Sequence, residues 1–327
     1  MLMEQKLTIG KINASKALVE FCTDKSHICL VTDGVAYKLC GAEDFVSEIL
    51  QSCNQELKIT HLVVPNANPK VETVQALLDN VVEPINGFIA IGGGTTIDTA
   101  KLLNLAIASK LPVRELLIQK CAPGQLLPCL AIPTTAGTGA EATRFAVCYD
   151  GEVKYSIDFE VIRPSDVAIV PEFTETLPKY QKASTNFDAY SQAVESLWAK
   201  GATEESKEYA NRALELMKSD NWPEASYWAG RAIDISRTTA AHAFSYYLTS
   251  HYGIPHGHAV YMVFEYICRN NNHSEFIKVV PELKTLRELA DEKGVAWDVM
   301  IDELFNNVNL KRLGNNPVEV KKESFYV

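Results

Sequence analysis

An α/β domain on a doubly wound, mostly parallel sheet, followed by an all-α domain, is the fold class predicted by this 327-residue sequence. Three observations predict it. The first half alternates short apolar runs with amphipathic stretches, a triple-glycine turn joins one such run to a helix, and beyond about residue 170 the β-branched runs give way to helical periodicity. In order, "SHICLVTDG" reads as a buried strand ending at a turn and "AEDFVSEILQSC" as a helix. "ITHLVVPNANP" is a strand and loop, "VETVQALLDNVV" a helix, "GFIAIGGG" a strand and "TTIDTAKLLNLAIAS" the helix after it. Strands separated by helices need crossover connections and therefore run parallel. "FDAYSQAVESLWAK", "EESKEYANRALELMKS" and "PEASYWAGRAIDISRTTAAHAFSYYLTSHY" keep helical spacing throughout. The boundary is expected near Val170 and Pro171, giving a dinucleotide-binding α/β domain over 1–170 and an all-helical metal and substrate domain over 171–327.

A net charge of -10 repels phosphate backbones, so nucleic acid is excluded as a general partner, while 47% hydrophobic and 22% charged residues suit a globular enzyme of small molecules. Eight cysteines are scattered without C-x-x-C pairs and read as buried, reduced thiols. No run reaches the ~18 apolar residues of a membrane helix, and "MLMEQKLTIG" lacks the basic flank and apolar stretch of a signal peptide. The expectation is a cytoplasmic protein with no membrane partner; a homodimer remains open.

Gly92, Gly93 and Gly94 fall between a strand and a helix start, where missing side chains let backbone N–H groups approach a phosphate and the helix dipole favours its charge. A tight turn with packing glycines is the alternative. "AIPTTAGTGAEATR", residues 131–144, is a second loop of hydroxyl residues and glycines, suited to a diphosphate, a ribose or a nicotinamide amide, or simply turn-rich. Asp33 ends "LVTDG", where a carboxylate can accept both ribose hydroxyls and repel a 2'-phosphate, or serve as a turn aspartate.

Four of the seven histidines, His242, His251, His256 and His258, lie within twenty residues. Asp188 and Gln192 are four apart on a helix and share a face, as ligands or as an ordinary surface pair. Asp188, His242 and His256 together make an O,N,N set with room for substrate, the usual form of a catalytic metal site.

These motifs in this order resemble the iron-containing (group III) alcohol dehydrogenases, which share their fold with glycerol dehydrogenase and dehydroquinate synthase. The resemblance runs over nearly the whole chain and is carried by "IGGGTTIDTAK", "PTTAGTGAEAT", "FDAYSQAVES" and "AHAFSYYLTSHYGIPHGHAV". It implies metal ligands at Asp188, Gln192, His242 and His256, with Asp188, His242 and His256 as the catalytic set. It implies dinucleotide contacts at Asp33, Asn68, Gly93, Gly94, Thr95, Asp98, Thr134, Thr135, Thr138 and Lys154, with Asp33 selecting NAD. Gln192 departs from the family, which places a histidine there, and an amide oxygen is the poorer donor for Fe(II) or Zn(II). Tyr246 likewise stands where many members carry another histidine, "TNFDA" replaces a glycine-containing turn, and the helical half is shorter than usual.

The resemblance implies a metal-dependent oxidoreductase that interconverts a primary alcohol and an aldehyde with NAD(H) and Fe2+ or Zn2+, on a polyol or acidic sugar of surface-carbohydrate biosynthesis. Members of the 3-deoxy-octulosonate 8-oxidase type look closest. A carbocycle-forming lyase and a degenerate paralogue without metal are the competing readings.

Overall fold

The computed structural model describes residues 4–53, 56–65, 68–82, 84–119, 124–151 and 153–326. The chain divides into two compact units, one of residues 1–135 and 140–176, the other of residues 136–139 and 177–327.

The first unit is built on eight strands: β1 (Lys6–Ile9), β2 (His27–Asp33), β3 (Lys58–Val64), β4 (Gly87–Gly92), β5 (Cys129–Pro133), β6 (Phe145–Asp150), β7 (Val153–Asp158) and β8 (Asp166–Ile169). Six form a sheet of order β1-β8-β5-β4-β2-β3, every pair parallel. β2, β4 and β5 are apolar and buried nearly end to end, as strands covered on both faces must be. Helices α1 (Lys11–Cys22), α2 (Ala36–Leu39), α3 (Ala42–Ser52), α4 (Val71–Leu78), α5 (Gly94–Ser109) and α6 (Val113–Gln119) provide the cover. The two apolar layers gather about Phe88 and Leu103 in one cluster and about Leu18, Ile89 and Phe173 in the other. Phe173 meets Phe45 edge to face at 5.6 Å, which anchors the chain beyond β8 in this unit.

Two parts of this unit differ from the sequence expectation. β6 and β7 form a separate antiparallel hairpin, its register running from Phe145 opposite Asp158 to Asp150 opposite Val153. The ammonium of Lys101, buried on α5, donates to the carbonyls of Ala140, Thr143 and Phe145 at 2.5–2.8 Å and fixes where the hairpin starts. The cysteines are free, but Cys40 and Cys53 are only half-buried, because they end α2 and α3 at the surface; Cys121 lies outside the described residues.

The second unit is helical: α7 (Lys179–Trp198), α8 (Glu204–Lys218), α9 (Trp222–Ser236), α10 (Ala240–Tyr252), α11 (His256–Asn270), α12 (Leu286–Lys293), α13 (Trp297–Asn306) and α14 (Leu310–Leu313). Its core centres on Phe187, Tyr190, Trp198 and Phe264, with Phe187 and Phe264 edge to face at 5.3 Å. Each such ring contributes roughly 1.5–3 kcal/mol on burial.

The long helical run read over 223–252 is interrupted. Arg237 takes φ +63° and ends α9, and the Asn315 amide donates to the carbonyls of Ser236 and Thr238 at 2.9 and 3.1 Å, satisfying the break. His242 thereby begins a helix of its own. The turn 136–139 belongs here because it has no room for side chains: a Cβ on Gly137 would meet Thr185 at 2.7 Å, and one on Gly139, at φ +60°, would meet the Gly230 backbone at 2.5 Å.

Candidate functional site

In the sheet, β2 leads outward to β3, whereas β4 leads to β5 on the other side, so the order reverses between the neighbours β2 and β4. Ligands of open α/β sheets bind at the carboxyl ends of strands flanking such a reversal. Asp33 and Gly92 are the residues found there.

A Cβ on Gly92 would lie 2.4 Å from Thr96 Oγ1 and 3.0 Å from Asp33 Oδ2, so only glycine fits beneath the carboxylate. Asp33 takes the turn role with one oxygen and leaves the other outside it. Its Oδ1 accepts the amides of Val35, Ala36 and Tyr37 at 2.5–3.2 Å, a turn role, while Oδ2 turns toward Gly92.

Gly93 precedes α5 and offers no side chain to cap it, leaving first-turn amides for an anion. A Cβ on Gly93 would meet Thr135 at 3.3 Å. Thr134 donates its amide to the Gly92 carbonyl at 3.0 Å, and its buried hydroxyl has no hydrogen-bond partner. Asn68, at φ +61°, donates its amide to Thr95 Oγ1 at 3.2 Å. A diphosphate group fits these residues: bare amides, an unsatisfied hydroxyl and glycines where a side chain would intrude.

Other residues of the expected dinucleotide set are placed differently. Asp98 accepts the Val147 amide at 3.0 Å and lies 3.8 Å from Lys101; burial pushes its carboxyl up against the lowering charges of Lys101 and Lys154. Asp98 thus ties α5 to β6, with Lys154 on β7. Thr138 belongs to the helical unit, where its carbonyl receives the Gln192 amide at 3.4 Å.

In that unit Asp188 on α7, His242 on α10 and His256 at the start of α11 converge, each offering a ligand atom within 4.8 Å of the others. Asp188 is 2% exposed and His242 3%, whereas the His256 side chain is 32% exposed and is the open side of the cluster. Asp188 Oδ1 is 3.2 Å from His242 Nε2 and 3.9 Å from His256 Nε2. Gly257 permits this approach, since a Cβ there would lie 2.0 Å from the Ser184 carbonyl and 3.0 Å from Asp188 Cβ.

Burial alone would raise the Asp188 carboxyl, but His256, His242 and a bond from Gln192 hold it below its ordinary range. Burial would likewise lower His242, and Glu195 and Asp188 instead raise it to about 10. Two buried carboxylates around one imidazole therefore draw positive charge into the cluster. Gln192 stands one turn from Asp188 with a buried Oε1 that lacks a hydrogen-bond partner. A divalent cation fits this donor set of one carboxylate, two imidazoles and an unsatisfied amide oxygen.

The histidine-rich stretch thus divides in two. His258 is structural: Nδ1 meets Tyr180 Oη and Nε2 the Lys284 carbonyl, both at 2.8 Å. His251 is exposed and stacks on Tyr247. Sequence reasoning missed Glu195, fully buried and bonded to His242 Nδ1. Its spacing of seven from Asp188 put it on the same helix face and was the available signal.

The family model for iron-containing alcohol dehydrogenase matches residues 5–171. Phosphonoacetaldehyde reductase of Streptomyces viridochromogenes is 33% identical over 208 residues, 56% of this chain and 53% of that protein. Aldehyde-alcohol dehydrogenase 2 of Entamoeba histolytica is 30% identical over 274 residues, 75% of this chain and 31% of that protein. The chain therefore spans about half of the first relative's length and about a third of the second's. The crystal structure of sulfoacetaldehyde reductase from Bifidobacterium kashiwanohense in complex with NAD+ superposes with a TM-score of 0.81 at 25% identity, covering 99% of this chain and 97% of that one. NAD and a divalent metal are accordingly the cofactors whose fit the two sites meet. By the family match over its sheet-bearing half, this chain belongs to the iron-containing alcohol dehydrogenases.

Proposed function

We propose that this chain interconverts a primary alcohol and an aldehyde with NAD(H), the metal held by Asp188, His242 and His256. One observation carries the reading: three ligand atoms from three helices converge within 4.8 Å, two of the residues buried and one open to solvent. When bound, a divalent cation supplies Lewis acidity toward the alcohol or aldehyde oxygen, and NAD supplies the hydride acceptor. The chain's own part is positional. Asp188 brings negative charge, His242 and His256 bring imidazole nitrogens, and Gln192 offers an amide oxygen of weaker donor strength. On the sheet, Gly93 and Thr134 leave donors for the diphosphate and Asp33 reads the ribose.

The substrate is a small alcohol or aldehyde. Two of the relatives are named for aldehydes carrying a phosphonate or a sulfonate, so such aldehydes are substrates to set beside the polyol and acidic-sugar reading, which rests on sequence resemblance alone, as does the 3-deoxy-octulosonate 8-oxidase type. Free thiols deep in the core suit a cytoplasmic setting.

Metal content of protein purified without added metal, followed by a panel of simple alcohols, sugar acids and phosphonate- or sulfonate-bearing aldehydes with NAD(H), NADP(H) and oxygen, tests the reading. Bound iron or zinc with NAD-linked turnover is expected. A chain that binds no metal even when Fe2+ or Zn2+ is supplied, and turns over nothing, is the degenerate paralogue.

A further inference from the structure

We propose that Glu195 is the positioning residue that sets which ring nitrogen of His242 faces the donor cluster, an inference that rests on the metal reading above. Glu195 lies on α7 seven residues after Asp188, and its side chain is fully buried. Its two oxygens have different partners. Oε1 accepts the Thr239 hydroxyl at 2.7 Å and the Ala241 backbone amide at 2.9 Å, while Oε2 faces His242 Nδ1.

An ionised carboxylate can only accept, so the hydrogen between Glu195 and the ring belongs to Nδ1, whether or not Nε2 is also protonated. The lone pair available to a metal is then on Nε2, the nitrogen 3.2 Å from Asp188 Oδ1. The same carboxylate holds the start of α10, because Thr239 precedes that helix and Ala241 is in its first turn, where amides have no partner within the helix. Glu195 therefore fixes both the ring's position and its tautomer.

This asymmetry makes the proposal sharp. The Ala241 amide is an obligate donor, so in Glu195→Gln the amide oxygen must stay against it and the new NH2 group must face His242 Nδ1. Nδ1 has then to accept, the ring proton moves to Nε2, and the ligand position is blocked without a change of side-chain shape.

The test loads wild-type and Glu195→Gln protein with Co2+, measures affinity by competition with a chelator, and reads the His242 ring protons by nitrogen NMR before loading. Glu195→Gln is expected to fold normally, to lose the Nδ1 proton and to bind Co2+ about 10–100-fold more weakly. Glu195→Asp, which keeps an acceptor-only group and covers the case in which the amide variant misfolds, is expected to restore the Nδ1 proton and part of the affinity. An Nδ1 proton retained in Glu195→Gln with unchanged Co2+ affinity overturns the proposal, as does a Glu195→Asp variant lacking that proton. Wild-type protein that fails to bind Co2+ overturns the metal reading instead, and the ring protons then decide the role of Glu195 by themselves.

Discussion

Asp33 Oδ2 stands 3.0 Å from the position a Cβ would take on Gly92, so a carboxylate closes the end of β2 over the glycine that ends β4. A ribose bound at this reversal would present its hydroxyls to that oxygen, and a 2'-phosphate would meet its charge. NAD is expected to bind at least about tenfold more tightly than NADP, a difference of roughly 1.4 kcal/mol. Asp33→Gly should narrow the gap while losing three amide bonds at α2, at a cost of about 1 kcal/mol for each bond. Nicotinamide fluorescence titrations with both cofactors check this, and equal affinities in wild type would remove Asp33 from the role.

His242→Ala and His256→Ala each take one nitrogen from a three-residue set contributed by α7, α10 and α11. Both should abolish metal retention and turnover. Dinucleotide binding should persist, because Asp33, Gly93 and Thr134 belong to the other unit. Metal analysis alongside the same fluorescence titration separates the two effects, and retained metal in both variants would sink the site.

The architecture was legible where burial leaves a periodic trace. β2, β4 and β5 are continuous apolar runs, and α3, α5 and α8 fall within a residue or two of the stretches read as helices. Non-local pairing left no such trace. β1 is four residues long and joins the sheet only through β8, some 160 positions later, and the β6–β7 hairpin depends on the buried Lys101. At the site, Asp188, His242 and His256 were readable as ligand types, whereas Glu195 carried only its helix-face spacing from Asp188. Its significance comes from the break at Arg237, a positive-φ residue whose side chain gives no warning that the helix ends there.

Glu141 is a buried carboxyl in the turn after β5, with an Oε1 lacking any hydrogen-bond partner. Burial raises its pKa from 4.5 to about 7, Lys101 offsetting only part. The folded state therefore holds a proton that the unfolded chain releases between these values, and stability falls as pH rises from about 4.5 through about 7. Glu141→Gln should remove this slope and stabilise the protein above pH 7 by on the order of 3 kcal/mol. Urea unfolding at pH 5 and pH 8 measures it; the same slope in both proteins would assign the dependence elsewhere.

Gly257 carries the contact between α11 and α7. With a Cβ only 2.0 Å from the Ser184 carbonyl, Gly257→Ala must push the start of α11 away and carry His256 with it. A loss of about 3 kcal/mol, the upper end for overpacking, is expected together with weakened metal binding. A variant with the wild-type unfolding midpoint would show that the two helices separate at no cost.

Gln192 is where this chain leaves its family, and the structure gives its amide two engagements: Nε2 lies 3.4 Å from the Thr138 carbonyl, and a side-chain bond helps hold Asp188 ionised. Its Oε1 is buried and unsatisfied. If that oxygen completes the donor set, replacing it with imidazole nitrogen should tighten metal binding, since nitrogen is the stronger donor for Fe(II) and Zn(II). Gln192→His is therefore expected to resist a chelator better than wild type. It should also lose turnover of substrates that can chelate through adjacent hydroxyl or carboxylate groups, relative to simple alcohols, because a weak ligand yields its position more readily than a strong one. Chelator competition and steady-state kinetics on both substrate types measure the two effects. A Gln192→His protein as metal-free and inactive as wild type would place the amide in a structural role, bonded to Asp188 in a site that no longer holds metal.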